Sequence, residues 1–246
     1  MKKINQFLSS CLLVLLLATG SQAQNTYQPE EGSNEIAEQQ KLKKKKYKID
    51  PDLPTVLIIG DSISKGYFGR VREHFKGKAN IVPNPGNSQG TTHTLANLEY
   101  WLEGPNWDVI HFNMGLHDLK RVTEAGTSKN SSNPDDPYQA DLATYRQNME
   151  KIVALLKDTG AELIFATTTP FPSGVRPYRD PEDVPKYNAA ALEIMNANGI
   201  EVNDLNALVK PHLDTVQKPK NVHFLPEGSQ MLADQVAEVI AAKLGL

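Results

Sequence analysis

The chain of 246 residues has a single cysteine, Cys11, and it lies in the first apolar stretch. That stretch reads as an export signal. Lys2 and Lys3 form the positive start, Phe7 to Ala18 the apolar core, and Ser21 and Ala23 the small residues that place cleavage before Gln24. A chain cut there has no thiol, which excludes a disulfide, a cysteine-based metal site and a cysteine nucleophile. Long apolar runs are missing too. The stretch before Gln24 is too short for a comfortable membrane span, so no stable span is expected after cleavage. Excess positive charge is also lacking. The formal net charge of −3 falls by two to −5 when Lys2 and Lys3 leave with the signal, which makes a poor partner for nucleic acid. No Gly-x-x-x-x-Gly-Lys-Ser/Thr or Gly-x-Gly-x-x-Gly run is present to cradle a phosphate or dinucleotide. His93 and His111 stand at no metal-ligand spacing, with each other or with carboxylates. No internal repeat is seen.

What remains is one domain behind a charged stretch. Residues 24–50 carry Glu30, Glu31, Glu35 and Glu38, then Lys41, Lys43 to Lys46 and Lys48, with few residues to build a core. They read as a solvated, disordered linker. Residues 51–246 are enough for a single domain. Thr55 to Ile59, Ile81–Val82, Trp107 to Phe112, Leu163 to Thr168 and Ile200 to Val202 read as short strands. Between them apolar residues recur at helical spacing: Leu142, Tyr145, Met149, Ile152 and Leu156; Ala189, Leu192 and Met195; Met231, Leu232, Val236 and Ile240. Strands alternating with helices predict a parallel sheet covered on both faces, with its site beyond the carboxyl ends of the strands. Residues 123–139, rich in Gly, Ser, Asn, Asp and Pro, form a long loop that either shapes a substrate site or is a mobile excursion.

Gly60-Asp61-Ser62 directly follows the first strand. A small residue before a serine at a strand-to-helix turn lets the chain bend sharply and presents the hydroxyl at the open edge of the sheet. Backbone N–H groups of the same turn can face a developing oxyanion. Gly, Asp and Ser are also ordinary turn residues, and a serine there can simply cap the helix.

Four segments in order resemble the blocks of the SGNH/GDSL hydrolases, over roughly residues 55–245. Gly60-Asp61-Ser62 is similar to the first block, which implies Ser62 as nucleophile. Asn84-Pro85-Gly86-Asn87-Ser88-Gln89-Gly90-Thr91-Thr92 is similar to the second, whose glycine N–H joins the oxyanion hole. That glycine aligns with Gly90, and Gly86 is the runner-up. Gly115-Leu116-His117-Asp118 is similar to the third, normally Gly-x-Asn-Asp, so His117 stands where the family uses an asparagine donor. A histidine ring can also donate a hydrogen bond, with a different reach. Asp118 is expected to brace the loop. Asn221-Val222-His223-Phe224, followed by Pro226 at a helix start, resembles the last block, Asp-x-x-His, which implies His223 as general base.

The largest departure is Lys220, which occupies the place of the family's aspartate three residues before His223. A lysine cannot orient an imidazole as a carboxylate does. Loss of the triad acid in serine proteases costs about 10⁴ in turnover, or ~5 kcal/mol. Three arrangements are open: His223 held by a backbone carbonyl or by Asn221 as a dyad, a carboxylate supplied from elsewhere, or a weakened relative. The dyad is favoured because every other block is present.

The resemblance implies a three-layer α/β/α sandwich of about five parallel strands, flavodoxin-like in outline. It implies an exported, periplasmic or extracellular, serine esterase acting on a small ester or acylated glycan, with no metal or organic cofactor. A non-catalytic carbohydrate-binding relative, or an acyltransferase using the same serine, is the alternative. His111, inside the third strand, is expected to be buried and hydrogen-bonded, and His74 and His212 to lie on helix surfaces. Arg176, Tyr178 and Arg179, in a Pro-rich loop after the fourth strand, could line a pocket for a sugar or an anionic ester, although solvated loop residues are the commoner case.

Overall fold

The computed structural model of the chain describes residues 47–246. Residues 1–23, read as an export signal, and residues 24–46 of the charged stretch lie outside the described residues. In chain order the elements are β1 (Thr55–Ile59), α1 (Ser62–His74), β2 (Asn80–Pro83), α2 (Thr91–Leu102), β3 (Val109–Phe112), α3 (Leu142–Lys157), β4 (Glu162–Ala166), α4 (Asp183–Ala197) and β5 (Glu201–Asn203). Two short helices follow, α5 (Leu205–Val209) and α6 (Leu213–Val216), joined by a 3-10 turn at Lys210–His212, and then the long α7 (Pro226–Leu244).

The five strands form one parallel sheet in the order β2-β1-β3-β4-β5. Parallel strands with helices on both faces have no wet side, so their residues must be apolar on both sides. β1, Thr-Val-Leu-Ile-Ile, meets this, and none of its residues is more than 4% exposed. α1 packs against α7, while α2, α3 and α4 pack in series, which gives the three layers. α3 shows how the sequence specifies its part. Asp141 caps it by accepting the Thr144 N–H at 2.8 Å. Tyr145, Met149, Ile152, Val153 and Leu156 then fall on the buried face, where each large aliphatic contributes roughly 1.5–3 kcal/mol.

Strand ends differ from the sequence reading for identifiable reasons. β4 stops at Ala166 rather than Thr168 because the threonines are used elsewhere. The Thr167 hydroxyl donates to Asp204, and the Thr168 N–H donates to Asn188 Oδ1. Residues 47–50, read as the end of the linker, pack on the domain. The Tyr47 ring meets Phe68 edge-on at 6.1 Å, and Asp50 and Asn80 exchange two hydrogen bonds. The loop of residues 123–139 is pinned at its borders: Arg121 stacks over Tyr138 at 3.6 Å, and Tyr138 OH donates to Asp183. His111 is fully buried, with Nε2 3.2 Å from Asn203 Nδ2, and His74 reaches Asp234 across the α1–α7 contact at 2.9 Å.

From β1 the chain moves to β2 on one side and then crosses to β3 on the other. The crevice where the strand order reverses is where such sheets hold ligands. Ser62 begins α1 just after β1, His117 follows β3, and Gly90 caps α2.

Candidate active site

Gly60 makes the turn after β1 possible. A Cβ there would stand 2.7 Å from Ser64 Cβ, too close for any side chain. Asp61 then caps α1, accepting the Ile63 N–H at 2.8 Å through its carboxylate and the Ser64 hydroxyl at 2.8 Å through its carbonyl. With the cap supplied by Asp61, the Ser62 hydroxyl is free for another partner. That partner is His223, whose Nε2 lies 2.8 Å from Ser62 Oγ.

His223 is presented by a hairpin. Gln217 and Phe224 form an antiparallel bridge, the Lys218 N–H donates to the His223 carbonyl, and the Asn221 N–H donates back to Lys218. Lys220, at the tip, is left-handed with φ +51°. This turn carries Asn221 toward the imidazole and Lys220 away from it. Asn221 Oδ1 is 2.9 Å from the His223 N–H and 2.7 Å from His223 Nδ1. A backbone N–H can only donate, so the atom facing it is the amide oxygen. That oxygen can only accept, so Nδ1 carries the ring proton and Nε2 offers its lone pair to the Ser62 hydroxyl. The tautomer needed for a general base is thus fixed by a neutral amide two residues before the histidine. Lys220 takes no part; its Cγ and Cδ lie beside Gly174.

Burial holds His223 below its ordinary pKa, helped by the charges of Lys218 and Arg179. The imidazole is therefore in its base form at neutral pH. The acid limb of kcat/KM is expected below 6.5, the ordinary histidine value. Activity should stay full at pH 7 and fall only as pH drops through the lowered pKa. A pH–rate profile with p-nitrophenyl acetate checks this, and a midpoint above 6.5 contradicts it.

The second turn is tied to the first. Gly60 donates its N–H to Asn84 Oδ1, and Ser88 donates its N–H to the Gly60 carbonyl. Gly90 sits at the α2 N-cap with no side-chain cap of its own. Asp118, fully buried, accepts both the Thr91 N–H at 2.8 Å and the Thr91 hydroxyl at 2.6 Å. Burial raises the Asp118 pKa to about 6, against the pull of those bonds. The carboxylate therefore clamps the Gly90–Thr91 corner from behind. A Cβ on Gly90 would meet its atoms at 3.0 to 3.2 Å. Gly86, by contrast, is exposed with φ +73°. Gly90→Ala is expected to push the corner off Asp118 and lower kcat on p-nitrophenyl acetate by about 10²-fold, the scale of one lost oxyanion donor. KM and the melting temperature should change little by comparison.

His117 is mostly buried, and its pKa is pushed down to about 3, first by burial and then by the charges of Lys120 and Arg179. A neutral ring has one N–H to give. Its Nδ1 edge is buried without a partner among the described residues, so Nε2 is the nitrogen available to a substrate. Its turn is held by Arg179, 5% exposed, whose Nε–H donates to the Leu116 carbonyl at 2.7 Å. Arg179 thus acts as an internal brace rather than a solvated loop residue, and its charge reaches Asp61 and His223 as well as His117. Sequence reasoning grouped it with the exposed Arg176, and no periodic signal separates the two. Beside Thr92 opens a groove of about 500 Å³ lined by Tyr138, Gln139, Thr144 and Asn148. No group of three or more His, Cys, Asp or Glu residues able to hold a metal occurs among the described residues, and no described helix is long and apolar enough to cross a membrane.

Comparisons with known proteins place the fold and the family. Among solved structures, the chain is similar to an acetyl xylan esterase (TM-score 0.61, 14% identity, covering 76% of this chain and 99% of that one). It is similar to a lipase/acylhydrolase from Enterococcus faecalis (TM-score 0.64, 19% identity, covering 78% and 97%). It is also similar to a mutant of an acetyl-xylooligosaccharide esterase from Geobacillus Stearmophilus (TM-score 0.61, 16% identity, covering 78% and 94%). At these identities the likeness establishes the three-layer fold. No curated protein sequence matches the chain. The model of the GDSL-like lipase/acylhydrolase family matches residues 58–231, from the end of β1 into the last helix, and the chain belongs to that family.

Proposed function

We propose that the protein is an exported serine esterase that removes a small acyl group, acetyl foremost, from a carbohydrate. The observation that carries this reading is the hydrogen-bonded series Ser62 Oγ, His223 Nε2, His223 Nδ1, Asn221 Oδ1. In the first half-reaction Ser62 Oγ bonds to the ester carbonyl carbon and its proton passes to His223 Nε2. The carbonyl oxygen becomes an oxyanion that takes hydrogen bonds from the N–H groups of Ser62 and Gly90 and from His117. On collapse the carbon–alkoxy bond breaks and His223 gives the proton to the leaving alcohol. Water then repeats the sequence on the acyl-enzyme and frees the acid.

Three features support the carbohydrate side of the proposal. The first residues read as an export signal, the groove beside Thr92 carries the hydroxyl and amide groups of Tyr138, Thr144, Gln139 and Asn148 within a largely apolar lining, and two of the similar solved structures are named as esterases of acetylated xylan or xylooligosaccharide. The test is acetate release from p-nitrophenyl acetate and from acetylated xylooligosaccharides. Turnover of both, abolished in Ser62→Ala, supports the reading. Turnover of neither, together with retained glycan binding, supports a carbohydrate-binding module instead.

A further inference from the structure

Two segments meet beside the catalytic histidine. One is the loop Pro170–Arg179 and the other is the hairpin Gln217–Leu225. The Gln217 side-chain amide joins them by donating to the Pro170 carbonyl at 3.0 Å, and the Lys220 stem lies against Gly174. Between them they carry Arg176, Arg179, Lys218 and Lys220, and neither contains an aspartate or glutamate. The chain as a whole is negative, so this grouping does not follow from composition. Arg179 is buried in its bracing role, whereas Arg176, Lys218 and Lys220 are exposed. None of these four cations has a carboxylate within 4 Å among the described residues, although other surface cations do. The carboxylates next to the two segments along the chain, Asp180, Asp214 on α6 and Glu227 in the first turn of α7, form no ion pair with these cations among the described residues.

The position of this lip says which part of a substrate meets it. His223 delivers its proton to the leaving alcohol, so the alcohol passes His223, while the carbonyl oxygen turns toward Ser62 and Gly90. Groups around the hairpin therefore contact the alcohol side of the ester and not its acyl side. Exposed, unpaired cations at the mouth of a cleft attract anions, and they discriminate against neutral and cationic competitors.

We propose that the natural substrate is an ester whose alcohol part bears a carboxylate, such as an acylated uronate, and that this carboxylate docks on the lip formed by Arg176, Lys218 and Lys220. The proposal rests on the esterase reading and names its substrate class.

The experiment compares two acetyl esters that differ only in the leaving group, 4-acetoxybenzoate and its methyl ester. The anionic ester is expected to show a kcat/KM at least about tenfold higher in dilute buffer, with the advantage shrinking to about threefold or less at about 0.5 M salt. In Lys218→Gln/Lys220→Asn, and in Arg176→Gln, the ratio should fall toward one. A ratio of one or less in the wild type, or a ratio untouched by these substitutions, overturns the proposal while leaving the esterase reading intact. If neither ester is hydrolysed, the esterase reading fails, and calorimetry with trigalacturonate and xylotriose on Ser62→Ala decides the lip. Salt-sensitive binding of trigalacturonate, at least about tenfold tighter than xylotriose and lost in the lysine double variant, supports it. Equal or absent binding overturns it.

Discussion

Ser62→Ala is expected to lower kcat/KM on p-nitrophenyl acetate by about 10⁴-fold or more, with no comparable loss of stability. The catalytic loss follows from the chemistry. Without Oγ no acyl-enzyme forms, and what remains is the water reaction aided by the oxyanion donors, the residual seen when serine hydrolases lose their nucleophile. The stability follows from the local structure. The α1 cap is made by Asp61, and among the described residues the Ser62 hydroxyl bonds only to His223. His223→Ala should cost a similar factor, and the double variant should be no worse than either single one, because the two groups act as a unit. Steady-state rates and melting curves on the three proteins check this. Additive losses contradict a shared step.

The second large effect belongs to Asn221. Its oxygen holds both the backbone and the ring of His223, so it fixes ring direction and tautomer together. Asn221→Leu keeps the bulk but removes the acceptor, and it should cost at least about 10² in kcat, toward the loss of about 10⁴ seen when a triad histidine is left in the wrong tautomer. Asn221→Asp keeps the acceptor and adds the missing charge. A carboxylate there stabilises the imidazolium, so the His223 pKa should rise and the acid limb of the pH profile should move upward. Each unit of that rise corresponds to ~1.4 kcal/mol of imidazolium stabilisation, which sets a ceiling of about tenfold per unit on the gain in kcat. Because Asn221 acts through His223, the readout that separates positioning from mere folding is the pH profile. Asp should shift it, and Leu should depress the rate at every pH. An Asn221→Leu protein with wild-type kcat contradicts the assignment.

Much of this was legible in the sequence. β1 reads as a buried strand because all five of its residues are apolar or β-branched, and α3 reads as a helix because its apolar residues recur at three and four. The turn after β1 is legible because glycine, aspartate and serine each do a separate job there. What was not legible depends on backbone conformation and on loops. The family's aspartate lies three residues before the histidine, where this chain has a lysine, and the sequence offers Asn221 only as one of several groups that could hold His223. The left-handed tip at Lys220 brings the next residue into the role, and φ is not visible in a one-letter code. Arg176 and Arg179 are indistinguishable as text, yet one is exposed and the other bonds to the Leu116 carbonyl. Asp61 looks like an ordinary turn acid, and Asp118 is expected only to brace its loop. Their burial, and the closure of Asp118 on the Thr91 N–H at the start of α2, emerge only from the fold.

The central claim is that His223, held by Asn221, activates Ser62. Its most direct measurement is covalent labelling by a p-nitrophenyl phosphonate, followed in time by intact mass and then by peptide mapping. The account predicts one adduct per chain, mapped to Ser62, forming at least about 10²-fold more slowly in Asn221→Leu than in the wild type. An adduct on another residue, or labelling of Ser62 at the same rate in both proteins, would contradict it.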